Sequence, residues 1–169
     1  GWRITEGFAD HPVAGLTYSA ALEYCAWLTE RDSSGLVYRL PTELEWKTGA
    51  LAGGSGPWPW GSKRPDGNLL NLSDRSDGIL RRHPSIDDGY SHTAPVGSFP
   101  DNDWGLFDAA GNVWEYTAPP GPEDSVYAMG GGWLSSVEDC RCCARMTVDT
   151  TLGYPYVGFR LAASAFSEL

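Results

Sequence analysis

Asp108 and Glu115 stand at the two ends of an eight-residue stretch, DAAGNVWE, that also holds Gly111 and Val113. Calcium takes six to eight oxygens and mixes carboxylates with backbone carbonyls drawn from tight loops. The two acids can supply the carboxylates, while the curling backbone presents the carbonyls of Gly111 and Val113. The competing reading leaves both acids as solvated charges in a turn. Asp87 next to Asp88 also fits metal or turn chemistry better than general acid–base work.

Nucleophilic chemistry has weaker material. The cysteines are Cys25, Cys140, Cys142 and Cys143. Cys25 lies alone in an amphipathic stretch and is expected as a buried small hydrophobe. The C-x-C-C cluster matches neither a zinc knuckle nor a disulfide framework. On a strand, Cys140 and Cys142 would share a face and could hold one soft metal; the blander use is filling space beneath a sheet. His11, His83 and His92 are scattered, with no H-x-x-x-H pair, and His11 precedes a proline, as in a turn. Neither Ser98 nor Ser135 sits in a G-x-S-x-G elbow.

Composition narrows the partners. The 169 residues suffice for one domain, and 21 Gly with 12 Pro and no glycine period indicate loop-rich structure. A net charge of −10 disfavours nucleic acid, whose binding rests on Lys and Arg neutralising phosphates, and favours cations. No apolar run reaches the length of a membrane span.

The elements that must position these groups are few. Ala21, Cys25 and Leu28 recur at i, i+4, i+7 within residues 17–31, predicting an amphipathic helix. Residues 36–40 read as a strand. Thr42 and Glu45 form a T-x-x-E capping box that starts a second helix, running to about Ala52 before Gly53 and Gly54. Residues 55–103 read as loop, long enough to require a function or a staple. Three strand-like runs follow: SVYAMGGGW, CRCCARMTV and YVGFRLAA. The sum is an α+β fold with two helices, a small antiparallel sheet and much ordered loop.

The segments RLPTELEW, PWPWG, TAPVGSFPDNDWGLFDAAGNVWEYT, GGGW and GFRLA occur in this order across residues 39–162. Together they resemble the formylglycine-generating enzymes and their sulfatase-modifying-factor relatives. The resemblance implies a C-type-lectin-like fold over the whole of 1–169. Family members carry further N-terminal strand sequence, so the chain reads as part of a larger multidomain protein or as a minimal member. The resemblance also implies that Asp108, Gly111, Val113 and Glu115 ligate calcium. It implies a second calcium set, Asn71, Leu72, Asp88 and Tyr90, against which stands simple turn capping by Asn71 and Asp88.

Active relatives oxidise a client cysteine with two cysteines spaced C-x4-C that bind copper(I), an ion suited to soft thiolates. Counting from the glycines, the first falls on Ser135 and the second near Cys140, in a segment about three residues shorter; no C-x4-C remains. The expected function is therefore a non-catalytic binding module for an unidentified protein or small molecule. The resemblance places its surface between Trp133 and Val157, at Trp133, Leu134, Ser135, Ser136, Asp139, Met146, Thr147, Asp149, Tyr154 and Tyr156. Arg145 and Arg160 are expected as buried or half-buried structural donors. The C-terminal placement of GFRLA is also similar to that in variable proteins of diversity-generating retroelements, in which Trp133, Glu138 and Met146 would have to be fixed. The alternatives are a divergent cysteine oxidase, half of an oxygenase site, or a purely structural module.

Overall fold

The structure is a computed structural model that describes residues 7–74, 83–121 and 125–165. Helix α1, Tyr18–Arg31, starts where the Thr17 hydroxyl accepts the Ala20 N–H at 3.3 Å. Its inward face carries buried Ala21 and Cys25, as the spacing predicts, and Leu28 is half-buried. Strand β1, Leu36–Arg39, follows. Thr29 joins the two elements: its hydroxyl donates to the Cys25 carbonyl at 2.9 Å and accepts the Tyr38 N–H at 2.8 Å.

Helix α2, Glu43–Leu51, opens with the predicted capping box: Thr42 Oγ1 accepts the Glu45 N–H at 3.2 Å, and Glu45 Oε2 accepts the Thr42 N–H at 2.8 Å. Arg39 and the Thr42 N–H together hold the Glu45 carboxyl well below its usual range, at about 2. The helix ends one residue before Ala52, which takes the left-handed cap conformation (φ 47°).

The remaining strands are short: β2 Trp114–Tyr116, β3 Tyr127–Met129, β4 Arg145–Thr147, β5 Val157–Gly158 and β6 Ala162–Ala165. They form a β1–β6 ribbon and a four-stranded sheet ordered β4-β3-β2-β5. The expectation of an antiparallel sheet needs correction, because β5 pairs parallel to β2 through Trp114↔Val157. The expected strand run CRCCARMTV is also shortened. Cys140, Cys142 and Cys143 lie in turns, so Cys140 and Cys142 do not share a strand face.

Three clusters fill the interior. One packs Leu16, Ala21, Cys25, Leu40, Trp114, Tyr116 and Val157 between α1 and the four-stranded sheet. A second joins Trp58, Leu70, Leu72 and Ile86 of the long loop to Ala110, Val137 and Cys140. The third holds Trp46, Ala50, Ala109, Met129 and Cys142. The loop thus buries its apolar residues in a core it shares with Ala110, Val137 and Cys140, which is how a segment with no helix or strand among its described residues becomes ordered.

Candidate functional site

Asn112 brings the loops together. It is buried and left-handed (φ 64°), directly after left-handed Gly111 (φ 79°). Its N–H donates to the Asn71 carbonyl at 3.0 Å, and its carbonyl accepts the Trp133 N–H at 2.8 Å. Its amide exchanges bonds with the Ala94 backbone, Oδ1 accepting at 3.1 Å and Nδ2 donating at 3.2 Å. Four loops therefore meet on one side chain and its backbone. Its left-handed turn, in a stretch read only for metal ligands, gave no separate signal.

The first predicted calcium set surrounds an ion pair. Glu115 is buried on β2, where Oε2 accepts the Trp46 indole N–H at 2.6 Å and also takes Arg160 Nε, while Oε1 accepts Arg160 Nη2 at 2.8 Å. Arg160 Nη2 also donates to the Phe107 and Asp108 carbonyls, at 3.1 and 3.3 Å. Asp108 Oδ2 accepts the Gly97 N–H at 2.8 Å. Burial, then the neighbouring Glu115 charge, pushes the Asp108 carboxyl up. Its Oδ1 is buried with no hydrogen-bond partner. Asp108, Val113 and Glu115 line one cavity of about 240 Å³ with Asn112 and Arg160, while Gly111 turns the backbone away toward Asn71. Two carboxylates face one guanidinium here, leaving one negative charge in excess.

The second set is also assembled. Asp88 Oδ2 accepts the Leu72 N–H and Oδ1 the Tyr90 N–H, both at 2.9 Å. Burial pushes the Asp88 carboxyl up to about 6, partly offset by those two backbone donors. Asn71 is fully buried; its Nδ2 donates to the His92 carbonyl at 2.7 Å, and its Oδ1 has no partner.

Buried oxygens without partners cost free energy unless something supplies positive charge or a donor. Two such oxygens belong to Asp108 and Asn71, one in each predicted set, so the residues present fit a cation. Among the described residues no three His, Cys, Asp or Glu side chains converge. An ion here would therefore need carbonyl and amide oxygens as well, which both sets contain.

The predicted ligand residues divide. Leu134, Ser135, Asp139, Met146 and Tyr156 line a cavity of about 350 Å³, closed by Trp114 and Arg145. Trp133 turns to His92 instead, with ring centroids 4.7 Å apart. Ser136 caps the Asp139 turn: its hydroxyl donates to Asp139 Oδ2 at 2.7 Å. Thr147 and Asp149 are exposed, and Tyr154 Oη accepts the Asp149 N–H at 3.2 Å. Ser135 departs from the expected exposed contact: it is buried, with Oγ accepting the Gly132 N–H at 2.9 Å. Arg145 departs from its structural assignment too. It is exposed, lies 4.2 Å over the Tyr127 ring and pairs with Glu43 at 3.0 Å. Arg160 is half-buried, as expected.

Residues 2–165 match the Sulfatase-modifying factor enzyme 1-like domain family. The chain belongs to that family. Formylglycine-generating enzyme of Bos taurus is 31% identical over 191 residues, covering 96% of this chain and 48% of its own length. Inactive C-alpha-formylglycine-generating enzyme 2 of Bos taurus is 32% identical over 166 residues, covering 92% of this chain and 51% of its own. The chain spans about half the length of the curated relatives it matches. In structure it is similar to Treponema denticola variable protein 1, with TM-score 0.75 and 20% identity over 96% of this chain and 74% of that one. This is the C-type-lectin-like fold of the sulfatase-modifying-factor type.

The residues of this family member do not fit a two-thiolate copper site. Ser135 stands at the first thiol position, and its hydroxyl is taken up in a turn. Cys140 is buried in the loop cluster and Cys142 in the α2 cluster. Burial pushes both thiols up, Cys142 to about 12, so both are protonated at neutral pH.

Proposed function

We propose that this domain binds a ligand, without cysteine-oxidase chemistry, in the cavity between Trp114, Leu134, Met146 and Tyr156. The observation that carries this reading is the fate of the thiol positions: a turn-forming serine and two protonated thiols packed into different clusters. The inactive relative in Bos taurus supports it, since its name reports that the family includes members without the activity. A cavity of about 350 Å³ is within the size range of small-molecule sites, and its wall combines an indole, a phenol and a thioether with polar groups at the rim.

We further propose that calcium staples the loops at Asp108, Gly111, Val113 and Glu115, and at Asn71, Leu72, Asp88 and Tyr90. The partnerless oxygens of Asp108 and Asn71 support it. Bound ions would hold the four loops that meet at Asn112, and with them the cavity wall.

Two measurements test the function. A cysteine-containing sulfatase peptide incubated with the protein, copper(I) and oxygen should yield no formylglycine; its appearance overturns the non-catalytic reading. A fragment library screened by NMR should shift the Trp114 indole signal in the wild type and not in Leu134→Asp. Hits that cluster elsewhere overturn the cavity assignment.

Diversification by a retroelement is a narrower version of the same reading, favoured by the fold shared with the Treponema variable protein and by the exposure of Leu134, Thr147 and Asp149. It requires a near-copy of the coding segment beside a reverse-transcriptase gene.

A further inference from the structure

A cavity of about 560 Å³ lies between α1 and the segment that joins β5 to β6. Ala20 and Tyr24 line it from α1, Phe159 and Leu161 from the joining segment, and Val13 and Leu16 from the chain that leads into the helix. Arg160 is its one charged lining residue. None of these residues lines the cavity beside Trp114 and Leu134.

Contacts outside the cavity hold its walls in place. The Val13 carbonyl lies against Gly158, where a Cβ would come within 2.3 Å of it. The Leu16 carbonyl accepts the Tyr116 hydroxyl at 3.1 Å, and the Gly15 N–H donates to the Tyr154 carbonyl at 3.0 Å. Tyr24 meets the Phe159 ring edge-on, with centroids 5.7 Å apart, and stacks on Trp27 at 5.6 Å. The space is therefore preformed, and Val13, Tyr24 and Leu161 remain exposed around it. A preformed apolar concavity of this size with very few polar groups is the usual form of a small-molecule site.

The lining also selects the charge of the occupant. Apolar walls do not solvate an ion. Arg160 does not change this, because the buried Glu115 already neutralises it. Arg160 Nε and Nη2 are engaged by Glu115 and by the Phe107 and Asp108 carbonyls, whereas Nη1 makes no hydrogen bond among the described residues. One donor is left for a neutral acceptor.

We propose that this cavity is a second binding site, for an uncharged apolar small molecule that carries one hydrogen-bond acceptor, with Arg160 as the donor. The site goes beyond the ligand cavity described above and shares no residue with it, so either assignment can fail alone. Its occupation adds to binding beside Trp114 and does not displace it.

The test uses butyrophenone, an aryl ketone, and phenylbutyrate, its carboxylate counterpart of nearly equal size, titrated into the isotope-labelled full chain by NMR. The expected result is saturable ketone binding with a Kd of about 1 mM or lower. Its ring should give NOEs to the methyls of Val13, Leu16 and Leu161, and the Arg160 guanidinium signal should shift. Phenylbutyrate should bind at least about tenfold more weakly, since it brings a charge into apolar walls. Ala20→Phe, which fills the cavity from the helix, should weaken the ketone at least about tenfold while the amide spectrum away from α1 stays unchanged. No saturable binding, or NOEs to Leu134 and Met146 alone, overturns the site. Equal or tighter binding of phenylbutyrate overturns the neutral class, and a stationary Arg160 signal overturns its role as donor. The comparison of the two probes needs no variant, so it decides the ligand class even if Ala20→Phe does not fold.

Discussion

The carbonyl of Asn71 lies so close to Gly111 that a side chain at 111 would have its Cβ 2.1 Å from the oxygen. The two proposed calcium loops are therefore packed back to back, and the contact requires glycine twice over, since φ at 111 is +79°. Gly111→Ala should destabilise the protein by at least about 2 kcal/mol, combining left-handed strain with a backbone clash. Denaturant melting checks this; a loss below about 0.5 kcal/mol would mean that the loops separate easily.

Calcium should raise the melting temperature. An ion that binds only the folded state adds about 2.7 kcal/mol at a concentration one hundred times Kd. Asp108→Ala should remove the part due to the first site and cost the metal-free protein only about 1 kcal/mol, because it deletes the acceptor of the exposed Gly97 N–H together with a partnerless buried oxygen. Equal melting in chelator and in millimolar calcium would refute the staple.

Glu115 has a second duty that the sequence did not disclose. It neutralises Arg160 and holds the Trp46 indole. Glu115→Ala should therefore cost about 3–5 kcal/mol even in chelator, the range for leaving one partner of a buried pair alone. Chemical unfolding of the metal-free variant measures this directly. A loss that appears only in the presence of calcium would show that the ion, and not Arg160, is the main partner of Glu115.

The acid at 88 gives a pH signature. Its folded-state value of about 6 lies above the ordinary 3.8, so the folded chain holds a proton that the unfolded chain releases between these values. Metal-free stability should fall as pH rises through this window, by roughly 3 kcal/mol at most. Calcium favours the ionised form and should flatten or reverse the slope. A metal-free protein that gains stability from pH 4 to 6, once other carboxylates are matched by an Asp88→Asn control, contradicts this environment.

Thiol labelling tests the packing of the cysteines. Cys143 is exposed, whereas Cys25, Cys140 and Cys142 are buried. Iodoacetamide at neutral pH should add one label to the native chain and reach the other three only in denaturant. Rapid native labelling of Cys140 would reopen the case for a reactive thiol.

Local signals were readable ahead of the structure where they had local causes. The Thr42–Glu45 box, the α1 face at Ala21 and Cys25, and the clustering of Leu134, Asp139, Met146 and Tyr156 all follow from spacing or from the family pattern. What escaped notice depends on partners distant in the chain. Strand β2 is three residues inside a segment read as a metal loop, and its parallel pairing to Val157 has no local mark. Cys140 and Cys142 look like neighbours on a strand, but a turn sends them into separate clusters. The position of Arg145 over Tyr127 and beside Glu43 likewise comes from elements far apart in sequence.

The β1–β6 ribbon has a consequence for how the protein is made. Leu36 is registered against Ala165, so this ribbon cannot close until nearly all of the domain has been translated. Pairings that span so much chain are slow to form. The apolar side of α1, which packs on β2 and β5, should likewise stay uncovered on the ribosome until Val157 emerges, a natural point for chaperone attachment.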